Sequence, residues 1–130
     1  MDLSVGMTGE KQDVVTEDRT AIKYGSGSVS VYATPAMVGL MEAAAIQAVD
    51  RHLPEGMSTV GTELKIKHIA ATPVGLAVRA IAELIEIDGR RLVFSVKAFD
   101  AKEEIGSGTH ERMVVDLARL GARLAAKKPA

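Results

Sequence analysis

A single change of hydrophobic period, at Pro54, constrains this chain more than any other feature. Before it, residues 35–53 (PAMVGLMEAAAIQAVDRHL) form a long, nearly continuous apolar run without a strand-like alternation. Thr34 and Pro35 suit a helix start, as N-cap and first helical residue, and the turn signal Pro54-Glu55-Gly56 ends it. After it, four segments alternate with period two: 58–71, 76–87, 91–99 and 104–117. Turn signals separate them, among them Asp88-Gly89, a hairpin signature. One apolar helix followed by a meander of long antiparallel strands predicts an α+β architecture in which a sheet buries one face against the helix.

The flanks are less regular. Residues 11–24 predict a strand followed by a turn or second short strand, and 29–32 a short strand. The chain is expected to form one domain over 1–130, with 1–9 flexible and 118–130 a C-terminal helix and tail. Strands this long leave edges that need partners, so a homodimer is expected, and a tetramer is compatible with the same pattern.

Composition narrows the function. Only 3% of residues are aromatic, so the core is aliphatic. A net charge of -1 argues against nucleic acid as a partner. With no cysteine, thiolate zinc sites and cysteine nucleophiles are excluded. No apolar stretch near the N-terminus suggests a leader or membrane anchor, and a cytoplasmic location is expected. No two histidines have metal-ligand spacing on one element, so no metal site is expected. The segment 106–111 (GSGTHE) lacks the Lys-Ser/Thr pair of a phosphate loop.

Two ionisable residues stand out against this background. On a helical wheel Glu42 falls with Val38, Ala45, Ile46, Val49 and Leu53, opposite Gln47, Asp50 and Arg51. A carboxylate on an apolar face is costly unless it is paired or put to use. Strand alternation places His68 with Val60, Thr62, Leu64, Ile66 and Ala70, on the face that should meet the helix; a bulge would reverse that facing. The residue pattern leaves His68 open between a core imidazole and half of a site with Glu42. Thr34 adds a hydroxyl, but it lies about 12 Å from Glu42 along a straight helix. His110 is expected on the sheet surface.

At these residues the sequence resembles the fluoroacetyl-CoA thioesterase-like branch of the hotdog-fold thioesterases. The matching segments are 34–42 (TPAMVGLME), Gly61-Thr62, 67–75 (KHIAATPVG), 89–92 (GRRL), Phe99-Asp100 and 104–112 (EIGSGTHER). The resemblance implies a hotdog fold, a long helix wrapped by an antiparallel sheet. It implies hydrolysis of small or short-chain acyl-CoA thioesters, with CoA as part of the substrate and no further cofactor. It assigns catalytic roles to Thr34, Glu42 and His68, and it puts Gly61, Pro35 and Arg112 on the substrate side. In such dimers the site lies at the subunit interface. Two other readings compatible with the fold are a non-catalytic acyl-CoA binding module and a hydratase or dehydratase. The family's fluoroacetyl-specific enzyme carries phenylalanine in a lid upstream of the threonine, whereas the corresponding segment 25–32 (GSGSVSVY) has none. Little preference for fluoroacetyl-CoA over acetyl-CoA is therefore expected, measured as the ratio of the two kcat/KM values.

Overall fold

The computed structural model describes residues 1–129. Five strands form one antiparallel sheet, β1 (Thr8–Val14), β2 (Met57–His68), β3 (Ala77–Asp88), β4 (Arg91–Asp100) and β5 (Glu104–Asp116). Their spatial order is β1-β3-β4-β5-β2, so β1 and β2 are the edges. The helix runs over Thr34–Val49 and continues as a 3-10 turn, Asp50–His52, close to the predicted end at Leu53. We number the short helix Ala21–Tyr24 α1, the long one α2, and the C-terminal helix Leu117–Lys127 α3.

The sheet wraps α2. Met37, Met41, Ala44, Ala45, Ala48 and Val49 of the helix are buried against Val78, Ala80, Ala82 and Leu84 of β3 and Leu92, Phe94, Val96 and Ala98 of β4. Strict alternation in β3 and β4 puts these residues on one face, as the period-two pattern predicts. With so few aromatics the core is built from small and branched aliphatic side chains, which lets sheet and helix approach closely. At Gly108 the approach is between strands: a Cβ there would lie 1.9 Å from the Lys65 carbonyl oxygen. A glycine inside a strand marks such a close backbone approach.

Several boundaries differ from expectation. The segment 1–9 is not loose throughout: Thr8 and Gly9 belong to β1, Leu3 and Met7 pack on the core, and Gly6 N–H donates to the Leu84 carbonyl at 2.8 Å. Beyond β1 the chain forms a 3-10 turn, Glu17–Arg19, and then α1 rather than a second strand. Residues 29–32 are not a strand; Tyr32 and Val31 make only isolated bridges to Thr20 and Pro73. The buried face of α2 is also rotated from the wheel's. Ile46 is exposed, and Glu42 lies on the half-open flank with Val38 and Ile46 rather than in the apolar stripe. A helix that is apolar nearly all round gives its wheel no clear axis, and the sheet decides which side is covered.

Leu84→Ala removes a fully buried side chain at the centre of this packing. It is expected to destabilise the fold by about 2–5 kcal/mol, read from urea unfolding.

Candidate active site

Both ends of the site hang on strand β2. Gly61 and His68 are seven residues apart, so on a regular strand they would face opposite sides of the sheet. The register with β5 shifts between Gly61 and Glu63: Gly61 lies opposite Arg112, and Glu63 opposite Glu111. This one-residue irregularity turns both Gly61 and His68 toward α2. It also overturns part of the expected face. Val60 lies between the helix-facing Thr59 and Gly61 and so points away. Thr62 donates its hydroxyl to the Glu111 carboxylate at 2.6 Å. Leu64, Ile66 and His68 keep the expected facing, with Ile66 packed on the core.

At the start of α2, Thr34 is the first helical residue and Pro35 the second, with Ala33 as N-cap. This corrects the expectation that Thr34 caps the helix. No side chain caps this end, and the Thr34 hydroxyl is spent elsewhere: Oγ1 lies 2.8 Å from His68 Nδ1. His68 Nε2 is buried without a hydrogen-bond partner. Burial pushes the His68 pKa below its ordinary 6.5, partly offset by the nearby Ala70 backbone. The ring is therefore neutral at pH 7 and able to take a proton. Thr34 and His68 line a cleft of about 290 Å3 together with Ala21, Ser26, Val31 and Tyr32. Ser26 and Val31 belong to the phenylalanine-free segment 25–32. Pro35 lines a different groove, beside Asp13, Arg19 and Gly39.

Two turns further along α2, Glu42 meets a second cluster. Its Oε2 lies 3.7 Å from Arg112 Nη1, and its side chain is 36% exposed. Gly61 sits directly beneath: a Cβ there would lie 3.0 Å from Glu42 Oε2 and 3.1 Å from His110 Cε1. Only a glycine leaves this space open. Arg112 is buried, which lowers its pKa, and three donors anchor it. Nε donates to Thr59 Oγ1 at 2.8 Å, Nη2 to the Thr59 carbonyl at 2.9 Å, and Nη1 to His110 Nε2 at 3.0 Å. Thr59 in turn donates its hydroxyl to Asp50 at 3.0 Å, and Ser58 donates to the same carboxylate at 2.9 Å. Asp50 is thus not merely on the solvent face of the helix; it ties the helix end to β2.

His110 is a further correction. It is fully buried, facing α2, not on the sheet surface. Alternation along β5 already placed it with Arg112; the missing signal was which face the helix covers. No sequence pattern points to Thr59 or Asp50 as site residues; their hydrogen bonds to and around Arg112 reveal them. Within the one chain the structure joins Thr34 to His68, and Glu42 to Gly61, Arg112 and His110, as two groups rather than one. Among the described residues no cluster of three or more His, Asp or Glu could hold a metal.

The fluoroacetyl-CoA-specific thioesterase family model matches residues 15–118, which contains every residue of both groups. This chain belongs to that family. The fluoroacetyl-CoA thioesterase of Streptantibioticus cattleyicolor is 48% identical over 100 residues, covering 77% of this chain and 72% of that protein. The solved structure of the fluoroacetyl-CoA thioesterase FlK superposes with a TM-score of 0.92 at 39% identity, covering 99% of this chain and 100% of that one. A hot-dog-like protein from Thermanaerovibrio acidaminovorans superposes at 0.89 with 25% identity, covering 100% and 99%. The family member described here therefore has the hotdog fold, with the sheet wrapped on α2 as that fold requires.

Both site histidines have folded-state pKa values below the ordinary 6.5, mainly through burial. A depressed value means that unfolding takes up protons as the pH falls, so the stability contributed above pH 6.5 is lost through the folded values. His68 and His110 are expected to titrate below 6.5 in an NMR titration, and unfolding free energy is expected to fall in step.

Proposed function

We propose that this protein hydrolyses small or short-chain acyl-CoA thioesters to the free acid and CoA, as a homodimer whose two sites each draw on both chains. The observation that carries this reading is the Thr34 Oγ1–His68 Nδ1 hydrogen bond, set at the uncapped start of α2 beside an open cleft. The thioester carbonyl sits there, where backbone amides and the helix dipole stabilise the developing oxyanion. Glu42 drives the attack, as nucleophile or as general base on water. His68 helps the proton on its way to the departing CoA sulfur as the C–S bond breaks, and Thr34 orients His68 and the substrate. Family membership supports the thioester as substrate.

Strand β2 supports the dimer. It is an edge strand, mostly exposed, with Val60 and Leu64 open at its middle. Such an edge calls for a partner. An antiparallel two-fold pairing of β2 with a second β2, centred between Leu64 and Lys65, brings position 68 of one chain opposite position 61 of the other. The Thr34–His68 pair then meets the Glu42 group across the axis, which removes the 12 Å objection.

CoA release from acetyl-CoA and longer acyl-CoAs is the primary measurement. Glu42→Ala and His68→Ala are each expected to lower kcat by about 10²–10⁴-fold. Unchanged turnover in both variants overturns the assignment, and binding without thiol release marks a non-catalytic module. Hydration of crotonyl-CoA without free CoA marks a hydratase. Mixing the two inactive variants is expected to restore about a quarter of wild-type activity, because half of the randomly reassorted dimers carry one intact composite site. No recovery places each site within one chain.

A further inference from the structure

The reaction described above uses Glu42 and leaves the buried imidazole beside it without a part. Both nitrogens of His110 are engaged: Nδ1 lies 2.9 Å from the Glu63 carbonyl oxygen, and Nε2 lies 3.0 Å from Arg112 Nη1. A carbonyl only accepts and a guanidinium only donates. Nδ1 must therefore carry the proton, and Nε2 must offer its lone pair. One species alone, the neutral Nδ1–H tautomer, satisfies both neighbours.

The arrangement explains the length of the Arg112–Glu42 contact. At 3.7 Å it is an ion pair beyond hydrogen-bond distance, although the two charges face each other across nothing larger than Gly61. Left alone, a guanidinium and a carboxylate close to a short, charge-assisted bond. Here Nε and Nη2 are held by Thr59, and Nη1 is held by His110. Nη1 keeps a second N–H for Glu42, but the guanidinium is fastened at all three nitrogens to neutral acceptors, and this fixes its position short of a close bond to Glu42.

We propose that His110 is a positioning residue for the thioesterase reaction: as a neutral acceptor it holds Arg112 off Glu42, so that the carboxylate is oriented by a nearby positive charge while its oxygens stay available to water or to the thioester carbon. This inference rests on the reading of Glu42 as the reactive carboxylate.

The surroundings agree with a neutral ring. Arg112 faces it from its own strand, the Glu63 carbonyl and Gly61 from β2, the Glu42 carboxylate from α2, and the Phe94 ring from β4 with centroids 6.4 Å apart. Burial and the Arg112 charge disfavour the imidazolium, and together they outweigh the Glu63 carbonyl and Glu42, which favour it. A protonated Nε2 would turn a donor toward a donor and release Arg112.

The test combines kinetics with spectroscopy on the full-length protein. In long-range 1H–15N spectra of the wild type at neutral pH, His110 is expected to show a protonated Nδ1 and a bare Nε2. With acetyl-CoA, His110→Leu is expected to lose about ten-fold or more in kcat while KM moves less than about two-fold. His110→Gln, whose amide oxygen can accept from Nη1 and whose amide nitrogen can donate to the Glu63 carbonyl, is expected to recover to within about three-fold of wild type. A protonated Nε2, a wild-type kcat in His110→Leu, or a His110→Gln variant no faster than a folded His110→Leu overturns the proposal. If His110→Leu does not fold, the tautomer and the His110→Gln kinetics decide. A wild-type protein that releases no CoA from any acyl-CoA overturns the thioesterase reading instead, and the tautomer still judges the arrangement around Arg112.

Discussion

A buried guanidinium organises one half of this molecule. Arg112 is 4% exposed, and a cation so far out of water is tolerated only when its donors are matched. Thr59 on β2 and His110 on β5 accept its hydrogen bonds, and Glu42 on α2 faces its charge from 3.7 Å. Satisfying one side chain thereby fixes an edge strand, its neighbour and the helix relative to one another. Asp50 extends the same network to the end of the helix through Thr59 and Ser58. Removing any acceptor in it leaves a donor stranded in a dry place, which is why polar networks of this kind act as units.

The second half is organised by the start of α2. Freed from capping, the Thr34 hydroxyl reaches His68, and an exposed residue and a half-buried one become a pair beside a cleft. The two halves sit on the same helix and the same strand but two turns apart. Their separation is a property of one chain. Between them β2 is an exposed edge of the sheet.

The architecture was legible because its two periods are clean. Leu92, Phe94, Val96 and Ala98 alternate without exception, and the helix is bracketed by proline at both ends. The sequence singles out Thr34, Glu42 and His68 but not what each of them touches: Thr34 meets His68, whereas Glu42 meets Arg112. The wheel misjudged which flank of α2 is covered, because alanine, valine and methionine on all sides carry little directional information. For His110 the difficulty is the opposite: alternation groups it with Gly106, Gly108 and Arg112, and a strand holding two glycines and an arginine does not look like a buried face. Its burial follows from the Arg112 network, which links residues 42, 59, 110 and 112 across three elements, and no local pattern encodes such a link.

The register shift in β2 has a consequence for how this segment can vary. Between Gly61 and His68 the site consults only the facing of the two ends, and facing depends on parity. The intervening positions Thr62, Glu63, Leu64, Lys65 and Lys67 are all exposed within one chain, so the facing of the two ends does not depend on which side chains they carry. The number of residues is not free. Deleting one would leave hydropathy and strand propensity nearly unchanged while swinging His68 away from Thr34. In this stretch the information that matters is carried by a count rather than by a composition.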